Sequence, residues 1–366
     1  MQRYLGSESE NKPDNKRDCT TTGFQPSSNP MNEIRLGRID GSTGSNQIHL
    51  PIKDVTEGNY KATDVVEVNG SNHIVDEDVW HPYVYIYSSH RDGTIYKNEP
   101  QVELMRFSVT ERCKPNPENC QYHSTCGMMQ VFSLKLAKTT TNSSPIQLYG
   151  YIAARDVVDS MLNYVFNRSR DDPIVLQQGS IIELTGPKRG IGMVADVIFE
   201  FDMRIKNGEK EEDDLQLIDG IIEIDDNVVT MTGTPRAFRL SGDCGSVDMS
   251  MAIFDNAVEA TVEVAISELH YGFDLSLSYV LSELEENREF QLFGGTIGES
   301  CGLRRFVVAV NLDTLMHLKF KVHKEGSNLV EHCCSFESNL HGCASQEIKL
   351  EEASILVKVT WSPLIA

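Results

Sequence analysis

Between Ala257 and Leu281 the chain alternates with a period of two residues. Val258, Ala260, Val262, Val264 and Ile266 point one way, and Glu259, Thr261, Glu263, Ala265 and Ser267 the other. A break at His270-Tyr271-Gly272 follows, after which Phe273, Leu275, Leu277, Tyr279 and Leu281 resume the alternation. Side chains alternate across a strand, so this pattern predicts two strands joined as an antiparallel hairpin, one face buried and one wet. The outward face carries Glu259, Thr261, Glu263, Ser267, Asp274, Ser276 and Ser278, with no His, Cys or Arg before the break. Such a face suits solvent or a partner rather than a reaction.

The same texture runs from Met128 onward. Strands are expected at 129–138, 147–154, 180–185, 193–206, 215–225, 247–254, 258–269, 273–281, 289–296, 305–313, 316–322, 347–350 and 354–361. Turn signals separate them at Gly186-Pro187, Lys206-Asn207-Gly208, Gly294-Gly295 and Lys324-Glu325-Gly326. Two stretches look alike, Gly242 to Met251 and Gly342 to Leu350, each a small-residue corner leading into a longer alternating strand. No long helical period competes. The expected fold is mainly β, an antiparallel β-sandwich or open barrel of about a dozen strands.

Three segments are expected. Residues 1–46 are rich in Ser, Asn, Thr, Gly, Asp and Lys, too polar to offset ordering entropy, and read as a disordered arm. Residues 47–127 form a poorly defined lead-in. It includes the aromatic run from Val79 to Tyr87, whose Pro82 argues against a central strand. Residues 128–366 form the β-rich domain.

The formal charge of −21 repels nucleic-acid phosphate, so a protein partner is expected before a nucleic acid. The basic pairs Lys188-Arg189 and Arg304-Arg305, the candidates for a patch, read as solvated surface, because a binding patch needs several charges on one face. The N-terminal residues carry no apolar stretch, and eighteen consecutive apolar residues occur nowhere. Neither a signal peptide nor a membrane helix is therefore expected, and the cytosol or nucleus is the expected compartment. The nine cysteines, odd in number and irregularly spaced, read as reduced thiols. The sequons at Asn69, Asn142 and Asn167 then read as chance matches.

Cys113, Cys120, His123 and Cys126 form the strongest chemical cluster. Three thiols and an imidazole can complete a tetrahedral zinc site, but the spacing lacks a paired C-x2-C, and free thiols on a linker are the competing reading. Cys333-Cys334 with His332, His341 and Cys343 raises the same question. Adjacent strand residues face opposite sides, so one buried thiol packing as a small hydrophobe fits that pair better. The acidic runs Glu211-Glu212-Asp213-Asp214 and Asp225-Asp226 lack the calcium-loop pattern and read as solvated loops. There is no G-x-S-x-G, no Walker phosphate loop and no G-x-G-x-x-G after a strand. Gly44-Ser45-Asn46 lies in the polar arm, Gly190-Ile191-Gly192 reads as a turn or bulge, and Asp171-Asp172-Pro173 as a turn opener. No catalytic residue, cofactor or metal ligand is assigned on these grounds.

Several blocks in order resemble a plant family. They are Met129-Gln130-Val131-Phe132-Ser133-Leu134-Lys135-Leu136-Ala137, Leu148-Tyr149-Gly150-Tyr151-Ile152-Ala153-Ala154-Arg155-Asp156 and Leu184-Thr185-Gly186-Pro187-Lys188-Arg189-Gly190. Asp213 to Gly220, Arg305 to Val310 and Val357 to Ser362 continue the series. The family is a cereal domain of unknown function that also forms the C-terminal part of jasmonate-induced ribosome-inactivating proteins. The resemblance covers about residues 128–364. It implies a non-enzymatic binding or regulatory module in stress or defence. The alternative is a translation-linked protein, associated with rRNA N-glycosidases or similar to cap-binding factors.

The depurinating Glu-Ala-x-Arg element belongs to the other domain of the fused proteins, and no copy occurs here. Ala265-Ile266-Ser267-Glu268 is followed by Leu269-His270-Tyr271 without an Arg, and Ala153-Ala154-Arg155-Asp156 lacks the preceding Glu. Cap binding needs a base stacked between two aromatic planes. The two tryptophans are Trp80 and Trp361, and Trp361 lies in phase with Val357 and Val359, which predicts core burial.

Overall fold

The computed structural model describes residues 113–364, except 115, 117–118, 142–144, 226–232, 234, 282–287, 325 and 327. The expected arm, most of the lead-in with Trp80 and Pro82, the sequons at Asn69 and Asn142, Gly44-Ser45-Asn46 and Asp226 lie outside the described residues.

The described chain is built of β-strands. In order they are β1 (Cys126–Thr139), β2 (Ile146–Arg155), β3 (Asn163–Arg168), β4 (Ile174–Leu176), β5 (Ile181–Ile182) and β6 (Ile191–Gly192). Then come β7 (Val197–Ile205), β8 (Leu215–Ile224), β9 (Arg236–Gly242), β10 (Gly245–Ser267), β11 (Phe273–Leu281) and β12 (Arg288–Ile297). The last are β13 (Cys301–Gly302), β14 (Phe306–Asn311), β15 (Leu315–His323), β16 (Val330–Glu337), β17 (Gly342–Lys349) and β18 (Ser354–Ser362). Among the described residues no helix is long and apolar enough to cross a membrane.

The strands form three antiparallel, open sheets. The central sheet has nine strands along the path β17-β18-β10-β1-β5, with β9, β13 and β14 also on β10 and β6 on β1. A four-stranded sheet runs β12-β11-β15-β16, and a five-stranded sheet runs β3-β2-β7-β8 with β4 on β2. This is the expected antiparallel sandwich class, doubled around one shared sheet.

The sharing follows from β10, 23 residues long. Its Val258, Ala260, Val262, Val264 and Ile266 pack with Phe273, Leu275, Leu277, Leu318 and Phe320 of the four-stranded sheet in one core. Val247, Met249, Met251 and Ile253 pack with Leu148, Ile152, Phe199, Phe201 and Ile222 of the five-stranded sheet in a second core. Met251, Ala252, Ile253 and Phe254 are all buried, because both faces of the strand are covered there. Each large apolar side chain taken fully from water contributes about 1.5–3 kcal/mol.

The structure corrects several expectations. The strands flanking His270-Tyr271-Gly272 exist, but they are not a hairpin. The second half of β10 pairs with β14 and β18, while β11 pairs with β12 and β15. Period two reports which face is buried and not which neighbour supplies the hydrogen bonds. The two inward faces meet across the core, and Glu268 turns the chain between sheets with φ 51°.

The outer face of β10 is also not simply wet, since Glu259 and Thr261 are buried. Gly294-Gly295 lies within β12 rather than at a turn. The expected strands 247–254 and 258–269 are one strand, and β3, β4, β6, β9, β13 and β16 were not expected. Three of those six are only two or three residues long, too short to show a period.

Candidate functional site

Cys113, Cys120, His123 and His341 converge on one point, their ligand atoms all within 4.8 Å of one another. Three come from the loop that precedes β1. Gln121 N–H donates to Lys114 O at 2.8 Å and closes that loop, which sets Cys113 beside Cys120. The His123 N–H donates to Cys120 Sγ at 3.4 Å, forming a compact Cys-x-x-His turn. His341 arrives from the corner between β16 and β17. Ser338 fixes that corner, its N–H bonded to Thr314 O at 2.9 Å and its hydroxyl to Asn311 O at 2.7 Å.

His123 Nδ1 lies 3.6 Å from Cys113 Sγ, 3.4 Å from Cys120 Sγ and 3.1 Å from His341 Nε2. Cys113 Sγ lies 3.5 Å from His341 Nε2. The imidazoles stand edge to face, centroids 4.8 Å apart at 67°. His123 is 5% and His341 9% exposed. Burial opposes ionisation of Cys120, but backbone amides of His123, Tyr122 and Lys114 and the Cys113 thiol bring its pKa below the ordinary thiol value. Burial and the neighbouring Cys120 push Cys113 up, and burial with the adjacent His123 pushes His341 down. His123 Nε2 is buried without a partner.

Of the cluster read from sequence, three members come together and Cys126 does not. Cys126 begins β1 opposite Ala257 and packs against the first core. Burial, with the charge of Asp156, raises its thiol to about 11. The fourth member is His341, 218 residues from His123, a distance over which no spacing signal survives. Cys333 is exposed and Cys334 buried, as adjacent strand residues must be. Cys113, Cys120 and His123 were findable from their proximity in sequence, with Cys120-x-x-His123 the most compact pair.

The other candidates are structural. Arg189 is fully buried on Asp156. Arg304 donates to Leu184 O and Leu292 O at 2.6 and 3.1 Å and lies 4.4 Å over the Phe306 ring. Arg305 pairs with Glu263 at 2.9 Å. Neither basic pair therefore forms a patch. Glu211, Glu212 and Asp213 form an exposed 3-10 turn, while Asp214 pairs with Arg170 at 2.7 Å. Asp172 pairs with Arg168 at 2.6 Å at the surface. Gly190-Ile191-Gly192, expected as a turn or bulge, contains the short strand β6, whose Ile191 and Gly192 pair with β1. Trp361 is buried in the first core, as expected.

A groove of about 430 Å³ separates β5 from β12. In the described pairings β5 bonds β1 alone and β12 bonds β11 alone, so each wall is the outer edge of its sheet. Phe132, Leu184, Phe290, Leu292 and Phe293 line it, with Ile181 on one rim and Glu183 and Glu289 beside it. Phe132 stacks on Phe290, centroids 3.8 Å apart. Arg304, beside the groove, donates to a carbonyl of each wall, Leu184 O and Leu292 O.

No curated protein matches the chain. Among solved structures, human GIVD cytosolic phospholipase A2 bound to an inhibitor is 11% identical over 66% of this chain and 33% of its own, with a TM-score of 0.23. This chain thus spans about a third of that one. The paired, calcium-bound C2 domains of extended-synaptotagmin 2 are 10% identical over 65% of this chain and 96% of theirs, with a TM-score of 0.21. Likenesses at these scores carry no argument about function. The family defined by the domain of unknown function DUF6598 matches residues 128–359, from β1 into β18, and the chain belongs to that family.

Proposed function

We propose that this protein is a non-enzymatic binding module that takes an extended apolar segment of a protein partner between β5 and β12. The observation that carries the reading is a groove walled on both sides by sheet edges. Edge strands offer unpaired main-chain donors and acceptors, so a strand laid between them gains hydrogen bonds as well as apolar contact. Its volume of about 430 Å³ falls among ligand clefts of about 300–1,000 Å³. Glu183 at the rim and the charge of −21 favour a segment flanked by basic residues. The resemblance to the cereal family extends the proposal to stress or defence responses in the cytosol or nucleus. A cap-type reading is less well supported, because Trp361 is buried and offers no free stacking face.

The test is selection of displayed random peptides on the full chain, repeated on Ile181→Glu, a rim substitution at a residue 56% exposed. Enrichment of extended apolar peptides that Ile181→Glu no longer binds supports the reading. No enrichment, or binders indifferent to Ile181→Glu, overturns it.

A further inference from the structure

We propose that Cys113, Cys120, His123 and His341 bind one zinc(II) ion in a closed tetrahedral site. The site fastens the loop before β1 to the β16–β17 corner. With Zn–S near 2.3 Å and Zn–N near 2.0–2.1 Å, tetrahedral ligands stand about 3.6 Å apart for a sulfur–nitrogen pair and about 3.3 Å for two nitrogens. The observed sulfur–nitrogen separations are 3.6, 3.5 and 3.4 Å, and the two nitrogens are 3.1 Å apart.

Hydrogen bonds alone do not account for this. His123 Nδ1 faces three groups at once and carries at most one hydrogen. A single N–H···N bond between the imidazoles would leave both sulfurs crowded against it without a role. A cation at the centre satisfies all four atoms together. The tautomer that frees Nδ1 places the hydrogen on His123 Nε2, which is buried without an acceptor. Ligation at Nδ1 is what offsets that desolvation.

The donor set selects the metal. Two thiolates and two imidazoles in tetrahedral array suit zinc, and four protein ligands leave no open position for substrate, so the site is structural. On binding, the two thiols release their protons to solvent and their charge neutralises the ion. The backbone amide of His123 on Cys120 Sγ favours the thiolate.

The loop has reason to need such a staple. None of its described residues belongs to either hydrophobic core. Three ligands precede residue 128, where the family match begins, and His341 lies within it. The ion thus attaches a segment outside the family domain to the domain itself.

The experiment is elemental analysis of the full chain expressed with zinc, alongside Cys113→Ser, His341→Ala and Cys126→Ser, and cobalt(II) titration of the chelated protein. About one zinc per chain is expected, retained in Cys126→Ser and lost in Cys113→Ser and His341→Ala. Cobalt should give the intense visible absorption of a tetrahedral thiolate site. Limited proteolysis supplies a readout that needs no variant: chelation should open cleavage within 113–125 and leave the β-domain intact. Absence of stoichiometric metal with no cobalt spectrum overturns the proposal. So does zinc retained in His341→Ala, or lost in Cys126→Ser.

Discussion

Asp156 and Arg189 lock two loops together from inside the protein. The guanidinium meets both carboxylate oxygens, at 2.7 and 2.6 Å, and neither side chain is more than 1% exposed. The same carboxylate accepts the N–H groups of Val158, Asp159 and Gly192, and so ties its loop to β6. Removing one partner of a buried pair leaves the other charge uncompensated, at a cost of about 3–5 kcal/mol. Asp156→Ala should lose stability of that order in urea unfolding, and Asp156→Asn, which keeps an acceptor oxygen, should lose less. A loss under about 1 kcal/mol for Asp156→Ala would contradict the pairing.

Thiol chemistry should follow the pleat. Cys333 faces out from β16, while Cys334 is buried, its thiol raised to about 11 by desolvation and the neighbouring Cys333. Cys126 is raised to about 11 as well. The thiolate is the reacting species, so alkylation of the folded protein at about pH 8 should modify Cys333 well before Cys126 or Cys334. Peptide mapping by mass spectrometry reads the order, and early labelling of Cys334 would reverse the assigned face.

These cases mark what could be read in the sequence. The alternation of Val258 to Ile266 identified the buried face of β10 without revealing that Ile266 bonds across to Ile355 rather than into a hairpin. Period depends on the local pleat, whereas pairing depends on chain reversals far away. Arg189 looked like surface because composition shows a charge and not the Asp156 that meets it across 33 residues. In the Cys/His cluster, Cys113, Cys120 and His123 lie within eleven residues and were legible, while His341 reaches them only through the folding of the central sheet.

Asp214 should make the protein acid-sensitive. Burial opposes its ionisation, but Arg170, the Tyr149 hydroxyl and the Asn207 N–H hold its pKa at about 2, against an ordinary 3.8. A depressed folded value adds stability that is present above the unfolded pKa and lost as pH falls through the folded one. After allowance for solvent screening the contribution is about 1–2 kcal/mol. The stability gap between wild type and Asp214→Asn should therefore be open at about pH 6 and close between about pH 4 and about pH 2. A gap that stays constant over that range would show the carboxylate charge to be irrelevant.

Glu259 should behave with the opposite sign. Its carboxylate lies on the face of β10 that the sequence assigns to water, yet it is 3% exposed. It accepts the Gly190 N–H at 2.6 Å and the Thr261 hydroxyl at 3.3 Å. Burial raises its pKa above the ordinary 4.5, and the Gly190 and Thr261 bonds and the charge of Arg189 only partly oppose this. A raised carboxyl binds its proton more tightly in the folded state than in the unfolded one, so its stabilisation is full below the unfolded pKa and fades as pH rises through the folded one. Glu259→Gln keeps an acceptor oxygen and discards the charge. It should match wild type at about pH 4 and exceed it at about pH 8 in thermal unfolding. Glu259→Leu leaves the Gly190 N–H without its acceptor and should lose about 1–3 kcal/mol at both. If Glu259→Gln is instead the weaker protein at the higher pH, then Arg189 outweighs burial and Glu259 works as an anion alongside Asp156.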